Sequence, residues 1–191
     1  MIDKTMIYLL GELNGFIGTV FPSSEPQAVL SSLALHDGTS PREIENKLVL
    51  TLTNVEREYA AQSREVASYT QGNSALRVGQ SLNLNLYFLL SANYSSDCAQ
   101  ALRLLSAALG FLHERPVLTP QDSPAFPRGL QRLTLEMVNL SIGELHNLWA
   151  SNGSKYLPSA FYKARMITLQ DGWITERVPV VTGAATRTST S

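Results

Sequence analysis

The strongest pattern in the chain runs from Leu82 to Val117 and changes period partway along. Leu82, Leu84 and Leu86 alternate with Asn83 and Asn85, so a strand here carries leucines on one face and asparagines on the other. Tyr87, Phe88, Leu89 and Leu90 then run apolar on both sides, as in a central strand covered on both faces. Asparagine is disfavoured in strands, so Asn83 and Asn85 imply a wet or paired face. After SANYSSD the period becomes helical. Cys98, Ala101, Leu102, Leu105, Ala108, Leu109 and Leu112 fall on one stripe, which makes Cys98 a small core residue. Asp97 with Gln100 predicts the N-cap, His113 and Arg115 suit the C-terminal end, and Pro116 stops the helix.

The flanking segments supply the rest of the fold. Ile2, Met6, Leu9, Leu10, Leu13, Phe16, Ile17 and Val20 predict a helix from residue 2 to about 19. Ala28–Leu35 suits a strand, and Leu48, Leu50 and Leu52 alternating with Val49, Thr51 and Thr53 predict a second one. Residues 60–80 show neither period, and they read as a surface loop or as a segment that a partner orders. Val117–Leu118 suits a short strand, the proline-rich PQDSPAFPRG a loop, and Leu130–Leu140 a strand. Ser141 and Glu144 form a capping box, and the helix 142–152 is expected to bury Ile142, Leu145, Leu148 and Trp149 before ending at Gly153. In the next strand Ala160, Tyr162, Ala164, Met166 and Thr168 share one side, and Phe161, Lys163, Arg165 and Ile167 the other. Ile174–Val181 reads as an edge strand, limited by Pro179, before a flexible, disordered tail. The sum is an α+β fold, a mixed sheet of about five strands flanked by about three helices. Residues 1–170 form the domain and 171–191 a C-terminal extension.

Composition narrows the function classes. At 191 residues the chain suits one domain. Charged residues are only 16%, against a typical value of about a quarter, which favours a surface partly covered by assembly. A net charge of −1 argues against nucleic acid as a partner. Residues MIDKT show no signal-peptide pattern and no stretch reaches membrane-spanning length, so synthesis in the cytoplasm without membrane insertion is expected. His36, His113 and His146 are scattered, and no HExxH, GxSxG, GxGxxG or P-loop occurs. The expectation is a non-enzyme, with no catalytic residue, metal or cofactor. Glu43, Glu45, Glu56 and Glu58 read as solvated loop or strand-edge positions.

Several stretches resemble one family. They are NKLVLTLTNVERE (46–58), LNLNLYFLLSANY (82–94), ALRLLSAALGFLHERPVLTPQDSP (101–124), LSIGELHNLWASNGSKYLPSAFYKARM (140–166) and the opening MIDKT. They are similar to the N-terminal domain of the cap, or tube-terminator, protein of extracellular contractile injection systems, the antifeeding-prophage and Photorhabdus virulence cassette type. One departure is Ser81–Tyr87, where many relatives read Pro-Leu-Tyr-Leu-Asn-Leu-Tyr. The resemblance implies a fold like phage tail terminators and a homo-hexameric ring that closes the end of inner tube and sheath. The inner tube and sheath proteins would be its partners, in a phage-tail-like particle that is either released or membrane-anchored. Longer relatives carry a further C-terminal domain, whose function is expected to be absent here. The alternatives are another ring of the same particle, baseplate or tube, or a small-ligand-binding α+β domain.

Candidate contact residues follow from the pattern. On the first helix Gly11, Gly15 and Gly18 cluster with Ile7 opposite the leucine-rich side. A helix face of glycines costs about 1 kcal/mol per residue relative to alanine. It is either a groove for a neighbouring element or a loose helix held by its other side. Arg64, Tyr69 and Arg77 mark the 60–80 segment as a contact candidate, and Trp173, Ile174, Arg177 and Val180 mark the last strand. That strand is open to two uses, an edge of the chain's own sheet or an added strand in a neighbour.

Overall fold

The computed structural model describes residues 1–58, 68–71, 74–78, 82–168 and 174–179. In chain order the elements are α1 (Ile2–Val20), β1 (Ala28–Leu30), a 3₁₀ turn (Arg42–Ile44), β2 (Lys47–Arg57), β3 (Ser68–Gln71), β4 (Ser74–Val78), β5 (Leu84–Asn93), α2 (Cys98–Glu114), β6 (Val117–Leu118), β7 (Leu130–Met137), α3 (Ile142–Ser151), β8 (Ser159–Thr168) and β9 (Ile174–Pro179). Six strands form the main sheet in the order β1-β2-β5-β8-β7-β6, with β1 parallel to β2 and every other neighbour antiparallel. The fold is α+β, as the pattern predicts.

The apolar run in β5 sorts the layers. Leu86, Phe88, Leu90 and Ala92 face α1 and α2, and pack with Met6, Leu9, Leu13 and Ile17 of the first helix. Leu89, one residue out of phase, faces the other way and joins Val49, Ile44, Leu33 and Trp149 beneath α3. Alternation thus places α1 and α2 on one side of the sheet and α3 on the other. Phe88 stacks on Tyr162 of β8 at 5.5 Å, so the two middle strands share one aromatic contact at the centre.

Local signals set the helix ends. Asp97 accepts the Gln100 N–H at 2.9 Å. Ser141 and Glu144 satisfy each other's backbone N–H groups in a reciprocal box. After α3, Gly153 takes φ 64°, a left-handed value that glycine adopts without strain. The sheet edges are short. β1 has only three residues, not the eight of Ala28–Leu35, and Asn14 of α1 holds it like another strand. The Asn14 Nδ2 donates to the Ala28 carbonyl and its Oδ1 accepts the Ala28 N–H, each at 2.9 Å. Such short edges offer little template for uncontrolled strand addition.

Three further expectations fail. The buried stripe of α2 is Ala101, Leu104, Leu105, Ala108, Phe111 and Leu112, turned away from Cys98 and Leu102, which are both exposed. The cause is tertiary: Phe111 stacks on Phe16 of α1 at 4.9 Å, and this helix–helix contact sets the rotation. Cys98 is therefore not a core residue. Ile142 is 88% exposed, because α3 meets the sheet only from Leu145 onward. Residues 60–80, read as lacking structure of their own, contain the antiparallel pair β3–β4. Of the two uses open to the last strand, pairing within the chain is the one seen: β9 pairs with β4, giving a second sheet in the order β3-β4-β9.

Candidate assembly interface

The glycine face of α1 is open. Gly11, Gly15 and Gly18 are exposed, and a Cβ built on any of them meets nothing within 4 Å. Ile7, on the same side, is 58% exposed. The helix does not use these glycines to approach another part of its own chain, so their cost is not repaid by packing among the described residues.

Beside this face lies a groove of about 710 Å³, with Lys4, Ile7, Tyr8, Gly11 and Glu12 on one wall and residues 124–128 on the other. The second wall is a built loop. Asp122 accepts from both the backbone N–H and the hydroxyl of Thr119, at 2.6 and 2.7 Å, and the Phe126 N–H donates to the Ser123 carbonyl. Gly129, at φ 86°, turns the chain into β7. Phe126 is buried and meets the Tyr8 ring edge-to-face at 5.3 Å, which fixes the loop against α1. Of the charged groups, Glu12 lies 3.8 Å from Arg115, whereas Lys4 and Arg128 have no ion pair among the described residues.

Tyr8 lines this groove, and its Oη is buried without a hydrogen-bond partner among the described residues. Burial pushes its pKa from 10.0 up to about 12, with the charges of Glu12 and Asp122 adding to the rise. Ser123 lies near enough to oppose the shift a little, yet forms no bond of acceptable geometry. A folded pKa above the unfolded one means stability that is complete below pH 10 and lost as pH climbs toward 12. Tyr8→Phe should therefore cost little or nothing at neutral pH, since it removes an unsatisfied hydroxyl. It should also lessen the alkaline loss, as thermal melts over an alkaline pH series would record. A clear loss of stability at neutral pH would show that the hydroxyl has a partner after all.

A polar cluster occupies the α3 side of the sheet. Glu58, expected to be solvated, is only 7% exposed. Its Oε2 accepts from Asn85 Nδ2 at 3.0 Å and lies 3.1 Å from Arg165 Nε and 4.0 Å from Lys163 Nζ. The Arg165 contact is an ion pair whose angle does not make a hydrogen bond. Lys163 also sits 5.9 Å over the Tyr87 ring. Register explains the grouping, because Asn85 is directly opposite Arg165, and Tyr87 opposite Lys163. Asn85 is thus paired through its Nδ2, while its Oδ1 is buried without a hydrogen-bond partner among the described residues.

The other sequence candidates divide. Tyr69, Arg77, Ile174 and Arg177 come together by backbone on one small sheet, with Tyr69 opposite Leu76, Val78 opposite Ile174, and Leu76 opposite Arg177. Arg64, Trp173 and Val180, and the polar tail, lie outside the described residues. Sequence reading missed the 124–128 wall and Glu58. His36, His113 and His146 are exposed, and no group of three potential metal ligands occurs among the described residues. Among those residues no helix is long and apolar enough to cross a membrane.

The arrangement of sheet and helices is that of the sheath/tube terminators. All of the chain (100%) aligns, at 17% identity and a TM-score of 0.64, with the cryo-EM structure of the PVC sheath/tube terminator of an extracellular contractile injection system in its extended state. A second alignment covers 92% of the chain, at 17% identity and a TM-score of 0.53, with the tube-terminating cap of the anti-feeding prophage. Residues 8–183 match the sequence pattern described as the Pvc16 N-terminal domain, and the chain belongs to that family. It is the family that the sequence motifs resemble. The chain spans 64% and 60% of the lengths of those two structures. No curated protein sequence matches it.

Proposed function

We propose that the chain is a structural terminator of a phage-tail-like contractile injection system. In this reading it forms a homo-hexameric ring that closes the end of inner tube and sheath, with those two proteins as partners and with no catalytic step. Membership of the Pvc16 N-terminal domain family carries it, supported by alignment of the whole chain with a sheath/tube terminator. The open glycine face of α1 agrees, since a lone helix gains nothing from Gly11, Gly15 and Gly18. Particles made without this chain should have tubes or sheaths of uncontrolled length by electron microscopy. Normal particles would end the proposal.

The remaining candidates fit the same role. Residues 171–191 act as an extension of the 1–170 domain, and Arg64, Tyr69, Arg77, Trp173, Ile174, Arg177 and Val180 form contacts in the ring or to the tube. β9 is the last strand of its sheet, and its edge away from β4 is placed to accept a strand from a neighbour. In the same assay a chain truncated after Gln170 should keep the main sheet folded and cap poorly. Normal length control by that truncated chain would remove the extension from the mechanism.

A further inference from the structure

The groove beside α1 is unfinished within one copy. Ile7 and Phe126 give it apolar walls, and nothing lies within 4 Å of a Cβ on Gly11. Among the described residues the Tyr8 hydroxyl in its lining has no hydrogen-bond partner, and Lys4 and Arg128 belong to the lining without an ion pair. Another part of the chain has the opposite character. At the start of α3, Ile142 is 88% exposed. Glu144, also exposed, accepts both the Ser141 N–H and hydroxyl on Oε2, and its Oε1 has no hydrogen bond among the described residues.

Groove and knob lie on opposite sides of the main sheet, because α1 packs with Leu86 and Phe88 and α3 with Leu89. They cannot meet within one copy, but they can meet between copies. Such a contact is heterologous: each copy offers a groove to one neighbour and a knob to the other, and the series closes as a ring or continues as a filament. A two-fold contact of α1 on α1 fits less well. It would gather Lys4 and Arg128 from two copies around Glu12, which already lies 3.8 Å from Arg115. Resting on the ring proposed above, we propose that this groove receives the Leu140–Glu144 turn of a second copy of the chain. Ile142 seats against Ile7, Gly11 and Phe126, and the Glu144 carboxylate lies between Lys4 and Arg128. The exposed isoleucine gains apolar contact, and Lys4 and Arg128, without an ion pair among the described residues, gain an anion.

Disulfide trapping tests the contact in the full chain. Cys98 is exposed, so Cys98→Ser supplies a background without leaving a core cavity. Adding both Gly11→Cys and Ile142→Cys should give, on mild oxidation, a ladder of linked species extending beyond the dimer. Each single cysteine should give none. Dimers from Gly11→Cys alone would indicate a two-fold contact and overturn the proposal. Absence of a ladder, while light scattering shows the unmodified chain assembled, would overturn this contact and leave the ring standing. A chain that stays monomeric even with tube and sheath proteins present would overturn both. Ile142→Asp should leave the melting temperature unchanged and raise the concentration needed for assembly about ten-fold or more. Assembly of that variant at the unmodified concentration would also overturn the contact.

Discussion

Phe88→Ala is expected to lower the melting temperature by roughly 10 °C or more, the largest effect of any single truncation argued for this fold. Phe88 is 1% exposed, lies opposite Leu52 on one side and Tyr162 on the other, and stacks on the Tyr162 ring at 5.5 Å. Truncating a buried phenylalanine costs about 3–5 kcal/mol, because the cavity left behind collapses only in part. Loss of the ring pair can add about 0.5–1.5 kcal/mol beyond the buried area. In a domain of this size each kcal/mol moves the midpoint by about 2–4 °C. Phe88→Leu keeps most of the volume and should lose much less. Phe161 is a useful contrast. It stacks on Tyr87 at 5.9 Å but is only half-buried, so Phe161→Ala should be milder. If Phe88→Ala cost no more than Phe161→Ala, the core would not be centred on β5 as described.

Why β5 was legible in the sequence, while other elements were not, follows from where their information lies. The alternation of Leu84, Leu86, Phe88 and Leu90 sits in one short run, and so does the Ser141–Glu144 box, whose bonds span three residues. Local pattern is enough for features of that kind. The rotation of α2 is different, because Leu104 turns inward and Cys98 outward through packing on the sheet and on α1, where Phe111 stacks on Phe16, and these partners are far apart in sequence. Helical period alone places Ile142 in the core, although the helix begins before it reaches the sheet. The β3–β4 pair did leave a signal. Gly72–Asn73 separates Ser68–Gln71 from Ser74–Val78, and a two-residue Gly-Asn spacer is a hairpin cue, but weak alternation on either side masked it. The groove was half legible. Glycines spaced along α1 pointed to an open face, whereas its second wall depends on Phe126 reaching Tyr8 across more than a hundred residues.

Glu58 is the clearest case of a residue whose role no local pattern carries, and it supports the second large prediction. Its neighbours come from β5 and β8, and its carboxylate is 8% exposed while the side chains of Lys163 and Arg165 are 20% and 42% exposed. Removing one partner of a fully buried ion pair costs about 3–5 kcal/mol. Here the cations retain water, so the expected loss for Glu58→Gln is smaller, about 2 kcal/mol, once solvent screening is allowed for. Glutamine keeps the shape and can still accept from Asn85, so the charge is the main thing removed. Arg165→Gln should be less harmful than Glu58→Gln, because the carboxylate keeps Asn85 at 3.0 Å and Lys163 at 4.0 Å. Added salt should weaken the interaction less than it weakens an exposed pair such as Lys47–Glu25, in which the glutamate is 77% exposed. The decisive measurement is a double-mutant cycle by denaturant unfolding. Glu58→Gln and Arg165→Gln should couple by about 1 kcal/mol, well above the roughly 0.3–0.5 kcal/mol expected of independent sites. Additive losses would mean that the two residues are neighbours without being partners.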